Sequence, residues 1–117
     1  AIIGCDTHPL NNLRILKYLK KEFGQDEAGI NKWAATWIAP AFDTLEGLIA
    51  EHAVDAGAFC FGSKPGLVEC YLVPQVYSAT RFGIDMTRWP RLSAIEAACQ
   101  ELAPFKRAHP DNQPDAD

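Results

Sequence analysis

Apolar residues recur at three- and four-residue spacing along most of this chain, and polar groups interrupt the first clear run. At about 100° per residue, His8, Asn12, Ile15, Leu16, Leu19 and Phe23 fall on one helical face, with Arg14, Lys17 and Lys21 opposite. The pattern predicts a helix from Leu10 to Phe23, with Pro9 at its first position and Gly24 just past its end. An imidazole and an amide one turn apart in an inward stripe must find partners, or they line a cavity open to water or ligand. Geometry alone favours satisfaction by nearby backbone.

The rest reads as helices joined by short loops. Ile30, Trp33, Ala34, Trp37, Ile38, Leu45, Leu48 and Ile49 mark a long second helix that Pro40 should kink. Ala56 to Ser63 is a loop with apolar anchors. A third helix is expected from about Gly66 to Thr80, with Leu72, Val76 and Ala79 inward. Gly66 at its N-cap has no side-chain oxygen, but Glu69 can reach back to the cap's N–H, so half of a capping box survives. Pro74 should bend this helix. Arg91 to Leu102 is a fourth, with Leu92, Ile95, Cys99 and Leu102 inward. Phe105 heads a short last turn, and residues 109–117 read as an extended surface strap after a domain spanning residues 1–108. No alternating pattern is long enough for a sheet, so the fold class is all-α.

A chain of 117 residues can bury a real core as one domain. Its net charge of −4 favours solubility and leaves no basic footprint for nucleic acid. No apolar run approaches a membrane span, and the first residues do not form a signal peptide, so the expected compartment is the cytoplasm. Cys5, Cys60, Cys70 and Cys99 form no C-x-x-C pair and no metal-like spacing with His8, His52 or His109. Reduced thiols acting as small buried hydrophobes, and no metal, are expected. Trp33 and Trp37 read as core or domain-interface packing.

The stretch from Cys5 to Lys17 fits a C-D-x-x-P-x-x-N-L-x-x-L-K pattern. Phe59-Cys60-Phe61-Gly62, Leu72-Val73-Pro74-Gln75-Val76, Arg81-Phe82 and the tail from Ala108 to Asp115 follow in order. Together these resemble the second domain of zeta-class glutathione transferases, which include maleylacetoacetate and maleylpyruvate isomerases. The resemblance covers essentially the whole chain and implies a glutathione transferase C-terminal-like helical bundle. Pro40 departs from the family pattern. Ala1-Ile2-Ile3-Gly4-Cys5 reads as the tail of an apolar helix with no start signal. A fragment starting inside an element is therefore expected, without the family's thioredoxin-like domain and its Ser-Ser-Cys motif.

The resemblance also implies a chemistry: glutathione-dependent cis–trans isomerisation of a small diketo acid in aromatic catabolism, by a homodimer. A borrowed thiolate adds to the double bond, the bond rotates, and the thiol leaves. Thiol activation belongs to the absent domain, so no catalytic residue is assigned in this chain. His8, Asn12, Leu13 and Arg14 are the implied glutathione contacts, and Arg81 with Asn12 the implied substrate contacts. A guanidinium suits the carboxylate because its planar fork binds both oxygens; read without the family, Arg81 is a cation neutralising a helix C-terminus. A regular helix puts Arg14 about 200° from Asn12, so both cannot face one pocket. Either the first turn is irregular, or Arg14 serves a site shared across a dimer, or it is solvated. Glutathione-dependent dehalogenation of haloacids and a stand-alone, non-catalytic interaction module are the alternative functions.

Overall fold

The computed structural model describes residues 1–52 and 57–116. A π-helical segment, Ile2–Thr7, runs directly into α1 (His8–Asn11). The other helices are α2 (Leu13–Phe23), α3 (Glu27–His52), α4 (Leu67–Arg81), α5 (Pro90–Gln100) and α6 (Ala103–Ala108). Short 3-10 turns at Met86–Arg88 and Pro110–Asn112 precede α5 and follow α6. No strand occurs among the described residues, only an isolated bridge between Phe59 and Gly62. The fold is all-α, as the periodicity predicts.

The core lies where α3, α4 and α5 meet. Ala34, Ile38 and Phe42 from α3 face Leu72, Val76 and Ala79 from α4 and Leu92, Ile95 and Cys99 from α5. Each large side chain fully buried here contributes roughly 1.5–3 kcal/mol. Phe42, absent from the stripe expected for the second helix, is fully buried and meets Trp89 edge-on at 5.2 Å between ring centroids. Trp37 and Leu48 of that stripe are exposed instead. The helix continues past Pro40 as one element. Pro40 sits on the exposed side while Ile38 and Phe42 on either side are buried, so packing holds both halves to the same core. Pro74 likewise interrupts no element of α4.

Side chains from neighbouring elements close the helix ends. Glu46 of α3 accepts from the N–H groups of Arg91 and Leu92 at 2.9 and 3.1 Å, capping α5, whose own N-cap residue Trp89 offers no acceptor. The half capping box of α4 is present: Gly66 N–H donates to Glu69 Oε2 at 2.6 Å. The other oxygen of Glu69 accepts from Cys60 N–H at 2.7 Å, so one buried carboxylate ties the 59–62 turn to α4. Cys60 is the anchor of that turn, whereas Phe61 is exposed. Ala56, where the loop was expected to begin, lies outside the described residues.

Three expectations need correction. The first helix does not run unbroken from Leu10 to Phe23: Asn12 is extended (φ −74°, ψ 152°), with α1 ending before it and α2 starting after it. Asn12 Oδ1 accepts from Arg14 N–H at 2.9 Å, so the residue takes the N-cap role that asparagine prefers to a helix interior. The fourth helix ends at Gln100, and Leu102 is the half-buried N-cap of α6. The tail is not wholly extended, because Pro110 starts a 3-10 turn. Asn112 and Gln113 then donate their side-chain amides to the Lys106 and Arg107 carbonyls at 2.6 and 2.8 Å, closing the end of α6.

Candidate functional site

The break at Asn12 creates the site. The chain turns there, and a cleft of about 890 Å³ opens between α1, α2, α3 and α4. His8, Asn11 and Asn12 line one end of it. Leu13, Leu16, Lys17 and Lys20 line it from α2, one face at i, i+3, i+4 and i+7. Glu27, Ile30 and Asn31 do so from the first turns of α3, and Gln75, Ser78, Arg81 and Phe82 from α4 and its end.

Of the residues singled out from sequence, His8, Asn12, Leu13 and Arg81 come together on this cleft; Arg14 is not among its lining residues. The expected inward stripe is altered: His8 is exposed at the cleft, Asn12 is half-buried, and Phe23 is exposed against Tyr18. Lys17, assigned to the wet face, and Lys20 border the cleft. Three cations, Lys17, Lys20 and Arg81, thus face one carboxylate, Glu27, on a chain whose net charge is −4. That local reversal of sign suits an acidic ligand.

Arg81 lies at the last turn of α4, with its guanidinium carbon 5.9 Å from the centroid of the Tyr77 ring. It forms no salt bridge among the described residues, so its fork of donors is available to a carboxylate. Tyr77 is held from behind by the tail: its ring meets His109 edge-on at 5.3 Å, and its hydroxyl lies 3.4 Å from Asp111 Oδ1.

Asn11 and Gln75 were missed. Asn11, 9% exposed, donates Nδ2 to the Thr7 carbonyl at 2.9 Å. That contact fixes the orientation of the amide, since the opposite flip would set two acceptors against each other. Asn11 Oδ1 is left buried with no hydrogen-bond partner. Gln75 is 4% exposed, and its side chain forms no hydrogen bond among the described residues. A glutamine inside the apolar run Leu72-Val73-Pro74-Gln75-Val76 was the available signal.

No family model matches the chain. Maleylpyruvate isomerase from a Ralstonia species is 55% identical over 116 residues, covering 99% of this chain and 54% of that protein. The holo structure of a maleylpyruvate isomerase, a bacterial zeta-class glutathione transferase, superposes with a TM-score of 0.95 at 54% identity, over 100% of this chain and 55% of that one. The chain belongs to the zeta-class glutathione transferases. It spans about half the length of the relatives it matches. A maleylacetoacetate isomerase from Anaeromyxobacter dehalogenans, solved with dicarboxyethyl glutathione and citrate in its active site, is 39% identical with a TM-score of 0.89, over 99% of this chain and 50% of that one. In this zeta-class domain the cysteines divide in two. Cys5 and Cys70 are exposed, whereas Cys60 and Cys99 are buried. Burial, reinforced by the nearby Glu69 carboxylate, pushes the Cys60 thiol up to about 12 and the Cys99 thiol to about 11. Both stay protonated, the wrong state for nucleophiles. Among the described residues, no three His, Cys, Asp or Glu side chains group to hold a metal ion, and no helix is long and apolar enough to cross a membrane.

Proposed function

We propose that this chain is the substrate-binding half of a glutathione-dependent cis–trans isomerase acting on maleylpyruvate or maleylacetoacetate. The observation that carries the reading is the gathering of His8, Asn12, Leu13 and Arg81 on one cleft with a cationic border. Glutathione fits the chemistry of this cleft. It brings amide groups for side chains such as His8 and Asn12, and carboxylates for the lysines. When bound, it supplies a thiolate for reversible addition to the conjugated double bond.

The chain's own residues bind and orient. His8 and Asn12 hydrogen-bond glutathione, and Leu13 covers its apolar part. Arg81 receives the carboxylate of the diketo acid, with Asn12 reaching both ligands. Arg14, outside the cleft of its own chain, enters the proposal as a residue that a second subunit of a homodimer brings to the site. A thioredoxin-like domain supplies thiol activation, and residues 1–108 form the helical domain with 109–117 as its tail. The setting is cytoplasmic aromatic catabolism. Glutathione titrated into the full-length protein should release heat that disappears in Asn12→Ala. A silent titration of the wild type would instead support a non-catalytic interaction module.

A further inference from the structure

Four helices present polar groups to the cleft, and two of them present a buried amide, Asn11 from α1 and Gln75 from α4. Gln75 has nine-tenths of its surface covered, forms no side-chain hydrogen bond among the described residues, and lines the cleft. Its amide differs from that of Asn11. Asn11 Oδ1 is sealed from solvent as well as unpartnered, and neither polar atom of Gln75 shares that state. The Gln75 amide therefore meets the open space of the cleft. An amide that faces the cleft and has no partner in the protein is free to hydrogen-bond a ligand there.

We propose that Gln75 reads the internal oxygen of the bound acid, the keto or enol oxygen set back from the carboxylate that Arg81 holds. This rests on the reading of the cleft given above. Arg81 lies six residues further along α4, about 9 Å along the helix axis, and its long side chain reaches the same cleft from the rim. One helix thus brings an exposed cation and a buried amide to the same cleft, and the length and flexibility of the arginine side chain let the two serve an acid that carries a second oxygen beyond its carboxylate. An amide suits that oxygen in either tautomer, because Nε2 donates to a keto oxygen and Oε1 accepts from an enol. Gln75 keeps its protons throughout. Its contribution is to favour acids with the internal oxygen and to stabilise that oxygen as negative charge grows on it.

The test is a binding comparison on the full-length protein with two probes of equal length, 2,4-dioxopentanoate and pentanoate. Wild type should bind the diketo acid at least about tenfold more tightly, the ratio expected when a buried polar group loses its partner. Gln75→Met keeps the shape and removes the amide. It should bring the two affinities within about twofold by weakening only the diketo acid. Gln75→Glu adds a carboxylate beside the ligand's own and should weaken both probes; it serves where the Met variant folds poorly. In turnover, Gln75→Met should slow the isomerisation of maleylpyruvate on the order of 100-fold while leaving glutathione conjugation of a neutral alkyl halide within threefold. A diketo preference that survives in Gln75→Met, or equal losses in both reactions, overturns the assignment while leaving the isomerase reading intact. A wild type that binds neither probe overturns both.

Discussion

Trp33 Nε1 donates to the Leu10 carbonyl at 2.9 Å, joining the second turn of α3 to the last turn of α1 across 23 residues of sequence. The break at Asn12 leaves that carbonyl near a helix end, and the indole takes it up. His8, Asn11 and Asn12 are thereby held on the cleft by a residue that does not line it. Trp33→Phe preserves edge-on packing against Trp37 and removes the donor. It should cost about 1 kcal/mol in chemical denaturation and speed amide exchange selectively at residues 11–14.

Asn12 has two roles that substitutions can separate. Asn12→Ala removes the cap on Arg14 N–H and should destabilise the protein by about 0.5–2 kcal/mol. Asn12→Asp retains an equivalent cap, so thermal stability should stay near wild type. The added negative charge beside an anionic ligand should nevertheless weaken glutathione binding. Equal affinity in Asn12→Asp and wild type would show that Asn12 only caps.

Much of this was legible in the sequence. Hydrophobic spacing located α3, α4 and α5, because their buried faces follow the 3.6-residue period. The 200° conflict between Asn12 and Arg14 left an irregular turn as one of three explanations; the structure breaks the helix at Asn12, and Arg14 still does not line the cleft. The sequence could not choose among the alternatives, because a local Asx cap competes with helix periodicity by an energy of similar size. Asn11 escaped notice for the same reason: the π segment and the break rotate it inward, where a regular helix keeps Asn12. Gln75 was hidden among apolar neighbours, and Lys17 was assigned to the wet face because periodicity cannot tell a wet face from a cleft.

Glu69 makes stability depend on pH. Burial alone would raise its carboxyl, but hydrogen bonds from the Gly66 and Cys60 N–H groups outweigh that and hold it below its ordinary 4.5. A carboxyl depressed in the folded state stabilises above its unfolded value, and that contribution is lost as pH falls through the folded value. Glu69→Gln should therefore be less stable than wild type by roughly 1–3 kcal/mol at pH 7. The difference between the two should be full above 4.5 and close as pH falls through the lowered folded value. A gap that persists in acid would contradict the linkage.

Arg81 should discriminate by charge. Arg81→Ala should lower kcat/KM for maleylpyruvate by roughly 10- to 100-fold, the loss expected for a charge-assisted hydrogen-bonded pair. Conjugation of a neutral alkyl halide should change less than threefold. Matching losses would assign Arg81 to the end of α4, where it offsets the helix dipole, and remove it from the substrate site.

The most direct measurement follows maleylpyruvate with the full-length protein, with and without glutathione, using absorbance to monitor conversion to the trans isomer. If the cleft between α1 and α4 is the acid-binding wall of a glutathione-dependent isomerase, conversion proceeds only with glutathione and falls sharply in Arg81→Ala. Conversion that needs no glutathione, or none at all from a folded wild type, would contradict it.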